Sequence, residues 1–552
     1  MMKEDDKLKT LFQEQFEAFM ERLPITATFF GYKHEIYDHL LPNGSSEANE
    51  ETIVLLFRFK EQLKAIDYEA LSEERRLDFE LLNHFYESQI FTLNELATWR
   101  SGVSDGGGGP ISTIGNAIFP LYTRSYASLE KRVKAMINRL KATPKFLKET
   151  KSTWQFPVKL WTEMALEEGP RTIGFLQLIQ NTLKPNLDPK LHKELIEAIE
   201  IASKSINDYG EWIKNEILPI TTHEWLIGSQ KFARLMALRK IDKTPAEILK
   251  LGKKALEDTK EELDQLGKEI DPSKTVEEIR EIIKNDHPPT FEMVLEHVRE
   301  LTHNARQFIL KKNLMDLPEG EELQVLPTPS FMVPVIPFAA YIKPEKFTKT
   351  QIGQYIVTPI EGRNEMLKEH SYASCKNVAV HEGYPGHHLQ LTSANLQPEL
   401  IRSIVTGEES VEGWAHYCEQ LMAENGFLGK KERFMQLIDQ LWRAVRIIVD
   451  IKLHTGQMTF EEAKEFMINE VGMDENAVTA ELKWYTLSPG YPLSYLLGKF
   501  MILELRDYVK QKMSADYAER FFHNTILNSG GMPIFFLKRL FDVRITKTLN
   551  SS

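Results

Sequence analysis

A mainly α fold, two helical lobes with one small β-sheet, is what this sequence predicts. Three observations carry that expectation. Long charged segments show apolar residues at three- and four-residue spacing, capping residues stand at their starts, and one stretch rich in β-branched and aromatic residues interrupts them.

The helical segments span residues 129–149, 190–217, 245–270 and 291–314. Ser128, Thr244 and Thr290 precede three of them, offering hydroxyl oxygens to the free N–H groups of a first turn. No fixed-period repeat is present, so a solenoid is not expected. Residues 101–110 carry four consecutive glycines, Gly106 to Gly109, and read as a flexible loop. That run lacks the Lys-Ser/Thr of a phosphate-binding loop. Residues 323–360 read as the small sheet, with 351–358 a strand directly before a histidine-rich segment. A strand edge beside a metal site holds a peptide through main-chain hydrogen bonds, and the prolines predict an edge position for part of this sheet. On this reading residues 1–290 form a helical lobe lining a substrate channel, and 291–552 form the catalytic lobe.

The 552-residue chain is 42% hydrophobic and 27% charged, which supports a large folded core rather than disorder. A net charge of -12 argues against a general nucleic-acid surface. Two cysteines, Cys375 and Cys418, exclude a disulfide framework and suit a reducing compartment. The opening Met1-Met2-Lys3-Glu4-Asp5-Asp6 lacks a secretory apolar run. The greasiest stretch, 331–342, is too short for a membrane span and contains Pro334 and Pro337. A cytoplasmic protein without membrane or nucleic-acid partners is the expectation.

The chemistry concentrates in His381-Glu382-Gly383-Tyr384-Pro385-Gly386-His387-His388. Imidazole and carboxylate are the ligands that hold a catalytic zinc ion while leaving one position for water. Residues 371–382 read as a helix ending here. Zinc peptidases usually place two histidines four apart on one helix face, but the fourth position after His381 is Pro385, which has no ligand atom. On a straight helix His387 would lie on another face, and His388 about 10 Å along the axis. Either the Pro-Gly step bulges the helix by two residues and turns an imidazole inward, or the helix is capped and the histidines are surface residues. Spacing alone leaves both open. Should His381 ligate, Glu382 beside it is the candidate general base.

Glu412, His416 and Glu419 follow at spacings of four and three, on one helix face. Glu412 is the candidate third ligand. His416 is a candidate supporting or substrate contact, and Glu419 a candidate partner orienting a ligand imidazole. Trp414 reads as a packing residue. His34-Glu35-Ile36-Tyr37-Asp38-His39 reads as structural, its histidines five apart with no third ligand nearby.

These segments resemble the bacterial domain-of-unknown-function 885 family, placed with the zincin metallopeptidases. The matching motifs are the His381–His388 octapeptide with Leu389 and Gln390; Glu412, Gly413, Trp414, Tyr417 and Glu419; Tyr485-Thr486, Pro489-Gly490, Ser494-Tyr495 and Gly498; Arg443, Arg446, Asp450 and His454; and Ala27-Thr28 with Gly31. The resemblance implies a helical zincin similar in outline to thimet oligopeptidase, angiotensin-converting enzyme and the Taq-type carboxypeptidases, with a deep channel between two lobes. The Gly-His-x-Leu run of those enzymes aligns with Gly386-His387-His388-Leu389. That implies one zinc ion on His381, His387 and Glu412, and leaves His388 to a supporting or substrate contact. Tyr485, Tyr491 and Tyr495 become candidates for stabilising an oxyanion, Tyr495 first, with Tyr491 a specificity position. Arg443, Arg446 and Lys499 are candidates for a substrate carboxylate or for structural roles, and Asp450 with His454 for a supporting pair.

The expected function is a zinc metallopeptidase of short peptides, with Glu382 deprotonating the activated water and zinc and a tyrosine hydroxyl bearing the oxyanion. One alternative is a zinc amidohydrolase acting on small non-peptide or acylated amino-acid amides. Another is a non-catalytic helical binding protein that kept the fold; the intact His381, Glu382, His387 and Glu412 set speaks against it.

Overall fold

Local capping chemistry sets where the long helices begin. The Ser128 hydroxyl accepts from the Lys131 N–H at the start of helix Leu129–Thr150. Thr244 and Glu247 satisfy each other's backbone N–H groups at the start of Pro245–Ile270, and the Thr290 hydroxyl accepts from Met293 at the start of Phe291–Lys311. Helix is the dominant structure throughout the computed structural model, which describes residues 3–103, 108–328, 336, 338–359 and 364–549. Gly106 and Gly107 of the glycine run lie outside the described residues, as do 329–335, 337 and 360, which include Pro334 and Pro337. Among the described residues no helix is long and apolar enough to cross a membrane.

The chain divides into two units, one of residues 1–72, 83–225 and 345–347, the other of 73–82, 226–344 and 348–552. In the first, helices Pro110–Thr123, Leu129–Thr150, Lys159–Leu183 and Pro189–Trp212 pack on one another and bury Ile114, Val133, Met136, Leu176 and Leu195. His34 sits in this unit. Its Nδ1 lies 3.1 Å from Asp38 and its Nε2 3.3 Å from Glu345, and its ring stacks on Tyr126.

The second unit holds every residue that the zinc reading uses. Its sheet has the order β1-β3-β2, from Glu321–Pro327 (β1), Ala339–Ile342 (β2) and Gln351–Val357 (β3). β1 runs parallel and β2 antiparallel to β3. The strand directly before the histidine-rich segment is therefore central and paired on both sides. The expectation that its edge receives a peptide is corrected: among the described residues the outer strands are β1 and β2. Pro327 closes β1 at the sheet's margin, where a missing N–H costs least. Val325, Tyr355 and Val357 pack with Val294, Val298 and Ala379, so the sheet is cemented to helices Phe291–Lys311 and Tyr372–Glu382. Alongside, helix Glu408–Glu424 packs on Ser494–Met513, and Pro245–Ile270 on Lys430–His454.

Candidate metal centre

The histidine segment breaks its helix by a definite amount. Helix Tyr372–Glu382, capped by Ser371, ends with the Gly383 N–H on the Ala379 carbonyl four residues back, at 3.0 Å. The next such bond is made by Gly386, whose N–H reaches the Val380 carbonyl six residues back, also at 3.0 Å. Helix then resumes over His387–Asn395. Tyr384 and Pro385, joined by a cis peptide bond, are thus looped out of the ladder. His387 takes the place that the fourth residue after His381 holds in an unbroken helix, which restores the shared face. A Cβ on Gly386 would stand 1.9 Å from the His381 carbonyl oxygen, so only glycine fits at the re-entry.

The two imidazole rings then lie with centroids 4.8 Å apart and planes nearly perpendicular. From helix Glu408–Glu424, the Glu412 Oε2 lies 3.4 Å from His387 Nε2 and 3.9 Å from His381 Nε2. One ligand atom from each of the three residues falls within 4.8 Å of the other two, and all three side chains are buried. Burial alone would raise the Glu412 carboxyl, but His387, His381 and the Tyr491 hydroxyl overcome it and hold the group down at about 2. Burial likewise opposes charge on His387, and the Glu412 carboxylate outweighs it to raise the imidazole.

A layer of partners fixes this trio. Glu419, fully buried, meets His381 Nδ1 at 2.7 Å, which leaves Nε2 to face Glu412. The other Glu419 oxygen lies 3.1 Å from His416 Nδ1 and receives Asn377 and Gln436 amides. His416 is itself fully buried and lowered to about 3 by desolvation, so it supports Glu419 and has no open side for a substrate. Tyr491 donates its hydroxyl to Glu412 Oε1 at 2.8 Å, orienting the carboxylate. Trp414 is more than packing: its indole N–H donates to the Pro385 carbonyl inside the looped-out turn at 2.9 Å.

Glu382 is half-buried, follows His381 directly, and makes no side-chain hydrogen bond among the described residues. The tyrosines divide into different roles. Tyr485 is spent in the interior, accepting from Arg446 Nε at 2.9 Å and donating to Glu481 at 2.7 Å. Tyr495 is half-buried beside Tyr491, with ring centroids 6.0 Å apart, and its hydroxyl makes no hydrogen bond among the described residues. Burial and the Glu412 charge raise Tyr495, so its proton stays on.

The three cations do not present a free carboxylate clamp. Arg446 pairs with Glu481 and lies over the Trp442 and Tyr495 rings. Arg443 pairs with Asp439 at 3.4 Å. Lys499 is 1% exposed, donates to Gln440, and is lowered by burial to about 7, so it serves the interior. Asp450 and His454 stand 3.8 Å apart and act separately. Asp450 receives the Gly490 and Leu493 N–H groups, and His454 meets the Tyr485 carbonyl. Both therefore brace the turn that delivers Tyr491.

One cluster had no signal in the sequence. His388 turns away from the trio. Its Nε2 lies 2.7 Å from Glu321 Oε2 on β1 and its Nδ1 lies 3.1 Å from the Tyr341 hydroxyl on β2. Tyr384 donates to the same Glu321 oxygen, and Arg306 Nε donates to the other at 2.9 Å.

No curated protein matches the sequence. Two solved structures share the fold. One is a "putative lipoprotein of unknown function" from Shewanella oneidensis, 19% identical over 97% of this chain and 99% of that one, with a TM-score of 0.79. The other is a "putative lipoprotein" from Colwellia psychrerythraea, 20% identical over 99% of this chain and 100% of that one, with a TM-score of 0.85. Residues 24–540 match the bacterial proteins of unknown function designated DUF885, and the chain belongs to that family.

Proposed function

We propose that this protein is a zinc-dependent peptidase of short peptides, built on a two-lobed zincin-like plan. The observation that carries the proposal is the convergence of His381, His387 and Glu412, with the Glu382 carboxylate, which makes no hydrogen bond among the described residues, next in sequence to the first ligand. The donor set fits a zinc ion. Two imidazoles and one carboxylate are a catalytic zinc combination, and bonds of about 2.0–2.2 Å require donors roughly 3.4 Å apart. Two separations, 3.4 and 3.9 Å, lie at or near that value. The hydrogen bond from His381 Nδ1 to Glu419 matches the support that ligand imidazoles usually receive.

When bound, the ion supplies a Lewis acid that acidifies water and polarises a carbonyl. The chain's own residues do the rest. Glu382 takes the proton of the attacking water and returns it to the leaving amine. Tyr495, protonated and with a hydroxyl that makes no hydrogen bond among the described residues, donates to the oxyanion as the carbonyl becomes tetrahedral. Tyr491 and Glu419 keep the ligands in register. A peptide substrate is supported by β2, an outer strand whose Tyr341 touches His388 beside the site.

Metal analysis of purified protein, with hydrolysis of a mixed peptide pool before and after Glu382→Gln, tests the proposal. The expected result is about one zinc per chain in both proteins and hydrolysis in the parent alone. Full activity in the variant would remove Glu382 from the mechanism, and a parent that takes up no metal would sink the proposal.

A further inference from the structure

We propose that Glu321 is a positioning residue of the metal centre: its carboxylate grips the looped-out turn on both sides of His387 and so fixes which imidazole faces the ligand cluster. The inference rests on the metal reading of the site.

Glu321 begins β1, and its side chain is 1% exposed. One oxygen, Oε2, meets two residues of the interrupted helix: the Tyr384 hydroxyl, within the excursion, and His388 Nε2 at 2.7 Å, directly after His387. The second oxygen receives Arg306 Nε from helix Phe291–Lys311 at 2.9 Å, so the carboxylate is anchored to a separate element. Successive residues on a helix point about 100° apart. Holding His388 against the sheet therefore turns His387 off the sheet, toward Glu412.

The sheet is shaped for this contact. A Cβ on Gly353 of β3 would stand 2.6 Å from His388 Nδ1 and 2.3 Å from the Tyr341 hydroxyl, so glycine makes the room in which His388 lies. The Tyr341 hydroxyl completes the ring's partners at 3.1 Å. With Nε2–H given to a carboxylate and Nδ1 accepting from a phenol, both nitrogens of His388 are used and neither is left for a metal. An eight-residue segment with three histidines thus has its choice of ligand enforced by an acid far away in sequence.

The test compares zinc affinity, by competition with a chromophoric chelator, with thermal unfolding of the metal-free protein, for the parent, Glu321→Gln, Tyr384→Phe and the double variant. Glu321→Gln keeps the shape but places an amide N–H₂ among donors. It is expected to weaken zinc about tenfold or more, the usual cost of losing a supporting partner, with a smaller loss for Tyr384→Phe. Because both act through one oxygen, the double variant should bind no worse than Glu321→Gln alone. Lower melting temperatures with unchanged zinc affinity in both single variants would assign Glu321 to the fold alone and overturn the inference. Strictly additive losses would overturn the shared grip. A parent that binds no zinc is a separate result, and it fells the metal reading together with this one.

Discussion

The indole N–H of Trp414 donates to the carbonyl oxygen of Pro385 at 2.9 Å, tying the helix that carries Glu412 to the loop that delivers His387. Trp414 is fully buried, and the carbonyl's other neighbour is the Cys418 thiol at 3.6 Å, a weak donor. Trp414→Phe keeps most of the apolar contact and strands the carbonyl. A buried acceptor left unpaired costs about 1–3 kcal/mol. Denaturant unfolding should show that loss, and chelator competition should show weaker zinc binding, because the second and third ligands lose their common tie.

Gly386→Ala is expected to be far more damaging. Its Cβ would stand 1.9 Å from the His381 carbonyl oxygen, a backbone atom with no flexible side chain to yield. The helix cannot re-enter after a two-residue excursion, so His387 leaves the face of His381. The expected result is a stability loss beyond about 3 kcal/mol and no bound zinc. A variant that folds with parental zinc affinity would show that the excursion does not set the ligand spacing.

Which features were legible in the sequence follows from how local their causes are. Helix starts at Ser128, Thr244 and Thr290 are fixed by residues three positions apart, and they stand where the capping signals are. The candidate ligands lie in two short motifs whose residue types carry the chemistry. The offset of two in the histidine segment was legible as a need, since Pro385 has no ligand atom, while its form depends on the Gly386 N–H reaching Val380. Strand order was not legible, because pairing β1 with β3 joins residues 30 apart and nothing in 351–358 marks it as central. Glu321 was hidden for the same reason: its partners Tyr384 and His388 lie 63 and 67 positions away. Lys499 and His416 left two roles open in the sequence, a substrate contact or a supporting one. A charged or polar type suggests an exposed role, and burial is decided by the helices that close over them.

Glu419→Gln should separate ligand orientation from fold. An amide can still accept from His381 Nδ1, but it no longer carries the charge that strengthens that bond and supports ligand basicity. Zinc affinity is expected to fall about 10- to 100-fold. Tyr491→Phe, which frees Glu412 Oε1, should give a smaller loss of the same kind. Equal zinc affinity in parent and Glu419→Gln would assign Glu419 to the buried network alone.

Tyr495→Phe tests the proposed oxyanion donor against its neighbours. Losing one such donor costs about 10²–10³ in kcat, and a donor used only in the transition state leaves KM nearly unchanged. Tyr485→Phe serves as the contrast, since its hydroxyl is spent on Arg446 and Glu481; there the expected change is in stability. A rise in KM alone in Tyr495→Phe would make Tyr495 a binding residue.

In the other unit, His34 predicts a pH dependence that is independent of any metal. Burial alone would lower this imidazole, but its contacts with Asp38 and Glu345 overcome that and push it up to about 9. Tyr126, stacked on the ring and donating to Asp38, and Arg124, 3.2 Å from Glu345, complete the surroundings. A histidine raised from 6.5 to about 9 binds its proton more tightly folded than unfolded. Its contribution is therefore complete below about pH 6.5 and lost as pH rises through about 9. After allowance for partial solvent screening it is roughly 1–2 kcal/mol. Unfolding free energies measured from pH 6 to 9.5 should converge between the parent and His34→Gln as pH rises. Curves that stay parallel over that interval would mean that His34 is neutral in the folded protein and that Asp38 and Glu345 are not held by its charge.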